Sequence, residues 1–197
     1  MTASAESAEA QLEGDGKPSP AAPRPLRGKA WIFAAILGGV VALDQWTKAW
    51  ALDTLAPAGR DTIFAGGWLP LTLHFNRGGL WGLGSGTVSR WAFAVAAVVA
   101  LALILYLYRE VDRRTPLRLL ALPAIGGGAI GNLIDRLRWD RGVIDFLGPF
   151  DLHFMQWPIF NVADMAISCC TIVLMISLFL DPTGLEPAQK AAPVIEE

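Results

Sequence analysis

The sequence predicts an all-α membrane protein: four transmembrane helices with a small extracytoplasmic β-rich or loop subdomain. Three observations carry this. The composition is 53% hydrophobic and only 17% charged, where soluble domains hold about 25% charged residues. Four apolar runs have the length needed to cross a bilayer. The polar residues that interrupt or flank those runs fall where an up-and-down bundle brings them to one end.

The 197 residues suit a single domain. Residues 1–28 lead into it as a tail rich in Ala, Glu, Ser, Pro and Gly, which is expected to be disordered and cytoplasmic. That tail lacks the ordered charged, apolar and cleavage regions of a signal peptide. Residues 29–181 form the expected membrane domain, and 182–197 a second disordered tail. The net charge of −2 gives no case for nucleic acid. Cys169 and Cys170 are adjacent within an apolar run and read as small filler, not as a disulfide framework or metal site.

The first span runs from Ala30 to about Leu52 and carries Asp44 and Lys48 on one helical face. Such a pair can simply anchor a helix end at the interface. Residues 53–89 form a mixed loop region in which LTLHF (Leu71 to Phe75) alternates like a short strand. Asn76 follows, then a Gly-rich turn. The second span is the uncharged run from Trp91 to Tyr108. A basic connection with Arg109, Arg113, Arg114 and Arg118 leads to the third span, Leu119 to Ile134. Gly127 and Gly131 there have the small-xxx-small spacing that lets helices approach closely. The fourth span, Ile159 to Leu180, is interrupted only by Asn161 and Asp164.

Arg24, Arg27, Lys29 and the four arginines between spans two and three favour cytoplasmic termini, although six arginines on the other side weaken the bias. The convergence does not depend on that orientation. Asp44, Lys48, Asn76, Asn132, Asp135, Arg136, Asp145, Asn161 and Asp164 all map to one end of the bundle. Ionisable residues at membrane depth are costly unless they are used or paired.

The chemistry available there is limited. His74 and His153 are the only histidines, and both read as ordinary loop residues. The HExxH spacing is absent, and neither a metal nor another cofactor is expected. The carboxylates remain. Two close aspartates cannot both ionise readily, so one keeps a proton and polarises a carbonyl while the other activates water. Asp145 and Asp164 are the candidate pair. Their bland alternatives are a plain loop aspartate and a helix N-terminal residue favoured by the macrodipole. A proton-relay transporter would want charges spread through the depth of the spans, and the middles of spans two to four are nearly uncharged. A structural membrane protein with no enzymatic activity is the third class.

The motifs DQWTK (Asp44 to Lys48), FNRGG (Phe75 to Gly79), GNLIDR (Gly131 to Arg136), GVIDF (Gly142 to Phe146) and WPIFNVADMAI (Trp157 to Ile167) resemble those of the lipoprotein signal peptidases, or signal peptidase II. The resemblance covers about residues 30 to 180. It implies an aspartic endopeptidase of the bacterial inner membrane, with cytoplasmic termini and an extracytoplasmic active site. Its substrates would be diacylglyceryl-modified prolipoproteins, cut just before the lipid-bearing cysteine. The catalytic pair falls on Asp145 and Asp164. Supporting residues fall on Asp44, Lys48, Asn76, Gly78, Asn132, Arg136 and Asn161, with Asn132, Arg136 and Asn161 orienting the dyad and substrate. Asp135 is expected to pair with a neighbouring arginine. Membrane lipid and the cyclic peptide globomycin are the other implied partners. A monomer is expected, because a small bundle can enclose the site alone. Gly79, Leu80 and Trp81 depart from the family's usual GAAF and bear on substrate preference.

Overall fold

A computed structural model describes residues 27–57, 63–66, 68–78 and 87–181. Residues 1–26 of the expected tail 1–28, the expected tail 182–197, and the departing positions Gly79, Leu80 and Trp81 lie outside the described residues, while residues 27 and 28 already belong to the first helix. The elements in order are α1 (Arg27–Leu55), β1 (Ile63–Ala65), β2 (Leu69–Asn76), α2 (Thr87–Glu110), α3 (Pro116–Arg138), β3 (Val143–Leu147), β4 (Phe150–Asp151), β5 (Gln156–Trp157) and α4 (Val162–Leu180). Each of the four helices is long and apolar enough to cross a membrane, so the chain is a multi-pass membrane protein.

The helix α3 is the central post. It packs against α1, α2 and α4 and buries a run that includes Leu119, Leu122, Pro123 and three consecutive glycines. The outer helices expose their large apolar residues instead, among them Val95, Val99 and Leu103 on α2 and Ile172, Met175 and Phe179 on α4. Lipid gives no hydrophobic reason to hide these, so close approach through small residues decides the helix contacts. A Cβ on Gly127 would sit 2.8 Å from Val40 Cβ of α1, and one on Gly128 would sit 2.5 Å from the Ala163 carbonyl oxygen of α4.

The helix ends differ from expectation by a few residues. α3 starts at Pro116, whose ring suits a first turn, and runs on to Arg138. α4 starts at Val162, because Ile159 to Asn161 is extended and Asn161 is the N-cap. Arg118, expected in the cytoplasmic connection, lies in the first turns of α3 and is fully buried. Its Nε donates to Ser177 Oγ at 3.2 Å and its Nη2 donates to the Ser177 carbonyl at 3.1 Å and to that of Asp181. The end of α4 thus gains a side-chain donor at its last turn, where the Ser177 carbonyl also accepts the Asp181 N–H.

Both sheets lie at one end of the bundle. β1, β2 and β3 form an antiparallel sheet in that order, and β4 pairs with β5. The β2–β3 register sets His74 opposite Asp145, Phe75 opposite Ile144 and Asn76 opposite Val143. Gly142 makes the turn into β3 possible. Its φ is +99°, and a Cβ there would collide with the Asn76 carbonyl. Leu71 and Phe146 pack on Ala51 and Leu55, fixing the sheet to the end of α1. At the same end, Arg90 of α2 donates to the carbonyls of Arg136 and Leu137 and pairs with Asp140.

Candidate active site

Helical periodicity places the site's parts on two stripes of α3. Gly127, Gly131 and Asp135 recur every fourth residue and face α1. Gly128, Asn132 and Arg136 form the next stripe, which turns toward α4 and the sheet.

On the first stripe, Asp135 meets Lys48 rather than an arginine, which corrects the expected pairing. Lys48 Nζ lies 2.8 Å from Asp135 Oδ2 and 2.8 Å from Asp44 Oδ2. The physical reason is rotation along the helix: Arg136 turns away and donates to the Asn132 and Gly78 carbonyls, and Arg138 lies over Trp139. All three members of the Asp44–Lys48–Asp135 cluster are buried. The Asp44–Lys48 pair is therefore internal, not an exposed interfacial anchor. The cluster's carboxylates also accept backbone N–H groups: Asp44 through its other oxygen, Oδ1, from Ala163 at 2.9 Å, and Asp135 through the same Oδ2 from Ile144 at 3.1 Å. Gln45, which the sequence reading passed over, donates to Asp44, Asp135 and the Gly131 carbonyl at 3.2 Å each.

Lys48 also donates to Asn132 Oδ1 at 3.0 Å. An ammonium has no acceptor, so the Asn132 oxygen must face it and the Asn132 amide nitrogen must face the other way. That nitrogen donates to Asp164 Oδ1 at 2.7 Å. Asn161 makes the matching link. Its Nδ2 lies 3.1 Å from Asn132 Oδ1 and 2.7 Å from Asp145 Oδ1. Two side-chain amides thus join the carboxyls of Asp145 and Asp164.

Local structure fixes both carboxyl groups. Asp164 occupies the third position of α4 in a capping box: its N–H donates to Asn161 Oδ1 at 2.9 Å, and its Oδ2 accepts the Asn161 N–H at 3.3 Å. The helix-terminal role foreseen for Asp164 is thus present alongside its place in the cluster. Asp145 sits within β3 rather than in a loop and is 1% exposed. Burial pushes its carboxyl up to about 7, and the Asp164 charge pushes the same way. Hydrogen bonds from Asn76 and Asn161 and the Lys48 charge oppose the rise without cancelling it.

Asp145 and Asp164 line one cavity of about 500 Å³ with Asn76, Gly78, Asn132 and Arg136. Gly78 is buried; its N–H donates to Asn76 Oδ1 at 3.0 Å, and its carbonyl receives Arg136 Nη2 at 3.3 Å. Arg136 lies over the Phe93 ring, 5.2 Å from its centroid. The site residues Asp44 and Lys48 stand behind this wall, and Asn161 supports it from beneath. The sequence reading missed the apolar part of the cavity, made by Phe93, Trp157, Ile159, Phe160 and Met165. It also took Cys169 as filler, whereas Cys169 is exposed and lines the cavity with Ser168. The signal was available in the helical spacing, since Ser168 follows Asp164, and Cys169 follows Met165, by four residues.

Such a site holds two carboxyl groups, joined through two side-chain amides, against a mostly apolar cavity at a membrane boundary. That suits acid/base hydrolysis of a bond in an amphipathic substrate. Comparison with known proteins points the same way. The sequence profile described as Signal peptidase (SPase) II matches residues 36–180. The lipoprotein signal peptidase of Syntrophomonas wolfei is 43% identical over 143 residues, covering 72% of this chain and 89% of that protein. That of Coxiella burnetii is 36% identical over 160 residues, covering 78% and 92%. A bacterial membrane enzyme solved by the in meso method at 2.3 Å superposes with a TM-score of 0.65 at 26% identity, over 78% of this chain and 91% of that one. A second, solved at 1.9 Å, gives 0.63 at 28% identity, over 76% and 93%. By the profile match and the identity to these relatives, the chain belongs to the signal peptidase II family.

Proposed function

We propose that this protein removes the signal peptide from diacylglyceryl-modified prolipoproteins, cutting before the lipid-bearing cysteine, with Asp145 and Asp164 as its catalytic dyad. The family relation supplies the reaction class and the aspartic mechanism. The observation that carries the residue assignment is the pair of carboxyls on one cavity, Asp145 buried and Asp164 partly buried, tied together through Asn161 and Asn132.

In this mechanism Asp164 is ionised and takes a proton from a water molecule. The water oxygen bonds to the scissile carbonyl carbon. Asp145, whose carboxyl holds its proton to about pH 7, donates that proton to the carbonyl oxygen. The resulting diol collapses as the C–N bond breaks. The leaving nitrogen takes the proton Asp164 had gained, and a hydroxyl proton of the diol returns to Asp145. The products are a new carboxyl terminus on the signal peptide and a free amine on the lipidated cysteine. Asn132 and Asn161 hold the carboxyls in register. Arg136 and the Gly78 turn border the space where the substrate backbone lies.

The active site faces the extracytoplasmic side of the bacterial inner membrane, and both termini face the cytoplasm. The positive-inside argument favours this, and the diacylated substrate is presented on that side. Residues 29–181 act as one peptidase domain, as a monomer, flanked by the tails. Globomycin-type cyclic peptides compete for the same cavity.

The test is cleavage of a diacylated prolipoprotein by the purified full chain in lipid. Asp145→Asn and Asp164→Asn are each expected to lower kcat by roughly a thousandfold, as loss of a general acid or base does, while remaining folded by thermal unfolding. Cleavage at the full rate by either variant would refute the assignment.

A further inference from the structure

A second groove, of about 450 Å³, adjoins the dyad cavity. The two share Asn76, Trp157, Pro158 and Ile159 as walls. Their other walls differ in kind. The dyad cavity continues along α4 past Met165, Ser168 and Cys169, into the apolar span. Among the described residues, none that lines the groove belongs to a spanning helix; its own contributions include His74 of β2 and Gln156 of β5, both exposed.

The β2–β3 register relates the groove to the chemistry. His74 is the cross-strand partner of Asp145, and Asn76 that of Val143. Directly opposed residues present their side chains on the same sheet face, with Cβ atoms about 5 Å apart. An extended polypeptide advances about 3.4 Å per residue. A chain leaving the dyad along this face therefore reaches His74 within one or two residues of the reacting bond.

We infer that this groove binds the first residues of the mature polypeptide, those that follow the lipid-bearing cysteine, in extended form, with His74 and Gln156 as specificity-determining contacts. This rests on the function proposed above. A substrate of that class branches at the cysteine: its acyl chains belong in lipid and its polypeptide belongs in water. The two adjoining cavities branch in the same sense, one into the span and one clear of it. His74 and Gln156 offer donors and acceptors to a peptide backbone, while Trp157, Pro158 and Ile159 offer flat apolar walls. The groove thus carries the chemistry of an uncharged, sequence-tolerant peptide subsite.

The experiment compares two synthetic diacylated substrates with the full chain in nanodiscs. They are identical through the cysteine; one ends there as an amide and the other continues for four residues. The readout is the ratio of their kcat/KM values, long over short, which does not depend on how much of each preparation is folded. For the wild type the ratio is expected to be about tenfold, the worth of one or two net hydrogen bonds. In His74→Ala/Gln156→Ala it should fall to about one. A wild-type ratio near one, or a ratio that the double substitution leaves unchanged, would overturn the inference. Asp164→Asn, run in parallel, reports separately on the dyad: cleavage of both substrates at the wild-type rate would count against the catalytic reading and not against the groove.

Discussion

The Lys48 ammonium touches two carboxylates and one amide oxygen. Its contacts with Asp44 and Asp135 set one positive charge between two buried carboxyl groups. Its contact with Asn132 fixes which end of that amide faces Asp164. Removing one partner of a buried charge cluster strands the others and typically costs 3–5 kcal/mol. Lys48→Met is therefore expected to destabilise the protein by about that amount, read as a lowered unfolding midpoint in detergent. Adding Asp44→Asn and Asp135→Asn keeps acceptors for the Ala163 and Ile144 N–H groups and should recover much of the stability. The rate should stay low in that triple variant, because Asn132 no longer has an ammonium to orient it. A triple variant that is both stable and fully active would show that Lys48 has no positioning role.

At the scale of elements, α3 serves two neighbours through two glycine stripes, and both sides approach too closely for a Cβ. Gly128 meets backbone of α4 at Ala163, next to the residue that carries the dyad carboxyl, whereas a Cβ on Gly126 would make ordinary contacts of 3.5 Å and beyond. Gly128→Ala is expected to cost about 1–3 kcal/mol through overpacking and to lower kcat at least tenfold by displacing Asn161 and Asp164. Gly126→Ala should be close to neutral on both counts. Equal effects of the two on stability and rate would contradict this packing account.

Much of this was legible in the sequence because it is local. Span lengths, the Gly127–Gly131 spacing and the convergence of polar residues follow from hydropathy and helical period. What escaped was non-local or masked. β3 gave no alternating signal, because Val143, Ile144, Asp145 and Phe146 are all buried, on both faces of the strand. The partner of Asp135 lies on a helix far back in the chain. Arg118 looked like one more loop cation until Ser177 and the end of α4 were brought over it. The cavity's apolar wall joins α2 to the segment before α4, which no window of sequence shows together.

The whole molecule inverts the usual arrangement: apolar side chains face outward along the spans, and its costliest polar groups gather inside one end. The sheet closes that end, so Asp145 is held away from water although it lies outside the spanning helices. This enclosure is why its carboxyl titrates at about 7 rather than near 4. For an acid the sign is direct. A raised value means the proton persists through the range where ordinary aspartates have lost theirs, and leaves as pH rises through about 7. Activity that needs that proton should decline over the same interval.

The most direct measurement is carboxyl ¹³C NMR of aspartate-labelled protein in lipid, followed across pH alongside the cleavage rate. We expect one protonated aspartate signal to persist above about pH 5, to titrate near 7 together with the loss of activity, and to be absent from Asp145→Asn. Deprotonation of every aspartate by about pH 5, with cleavage undiminished well above neutrality, would contradict a dyad that shares one proton.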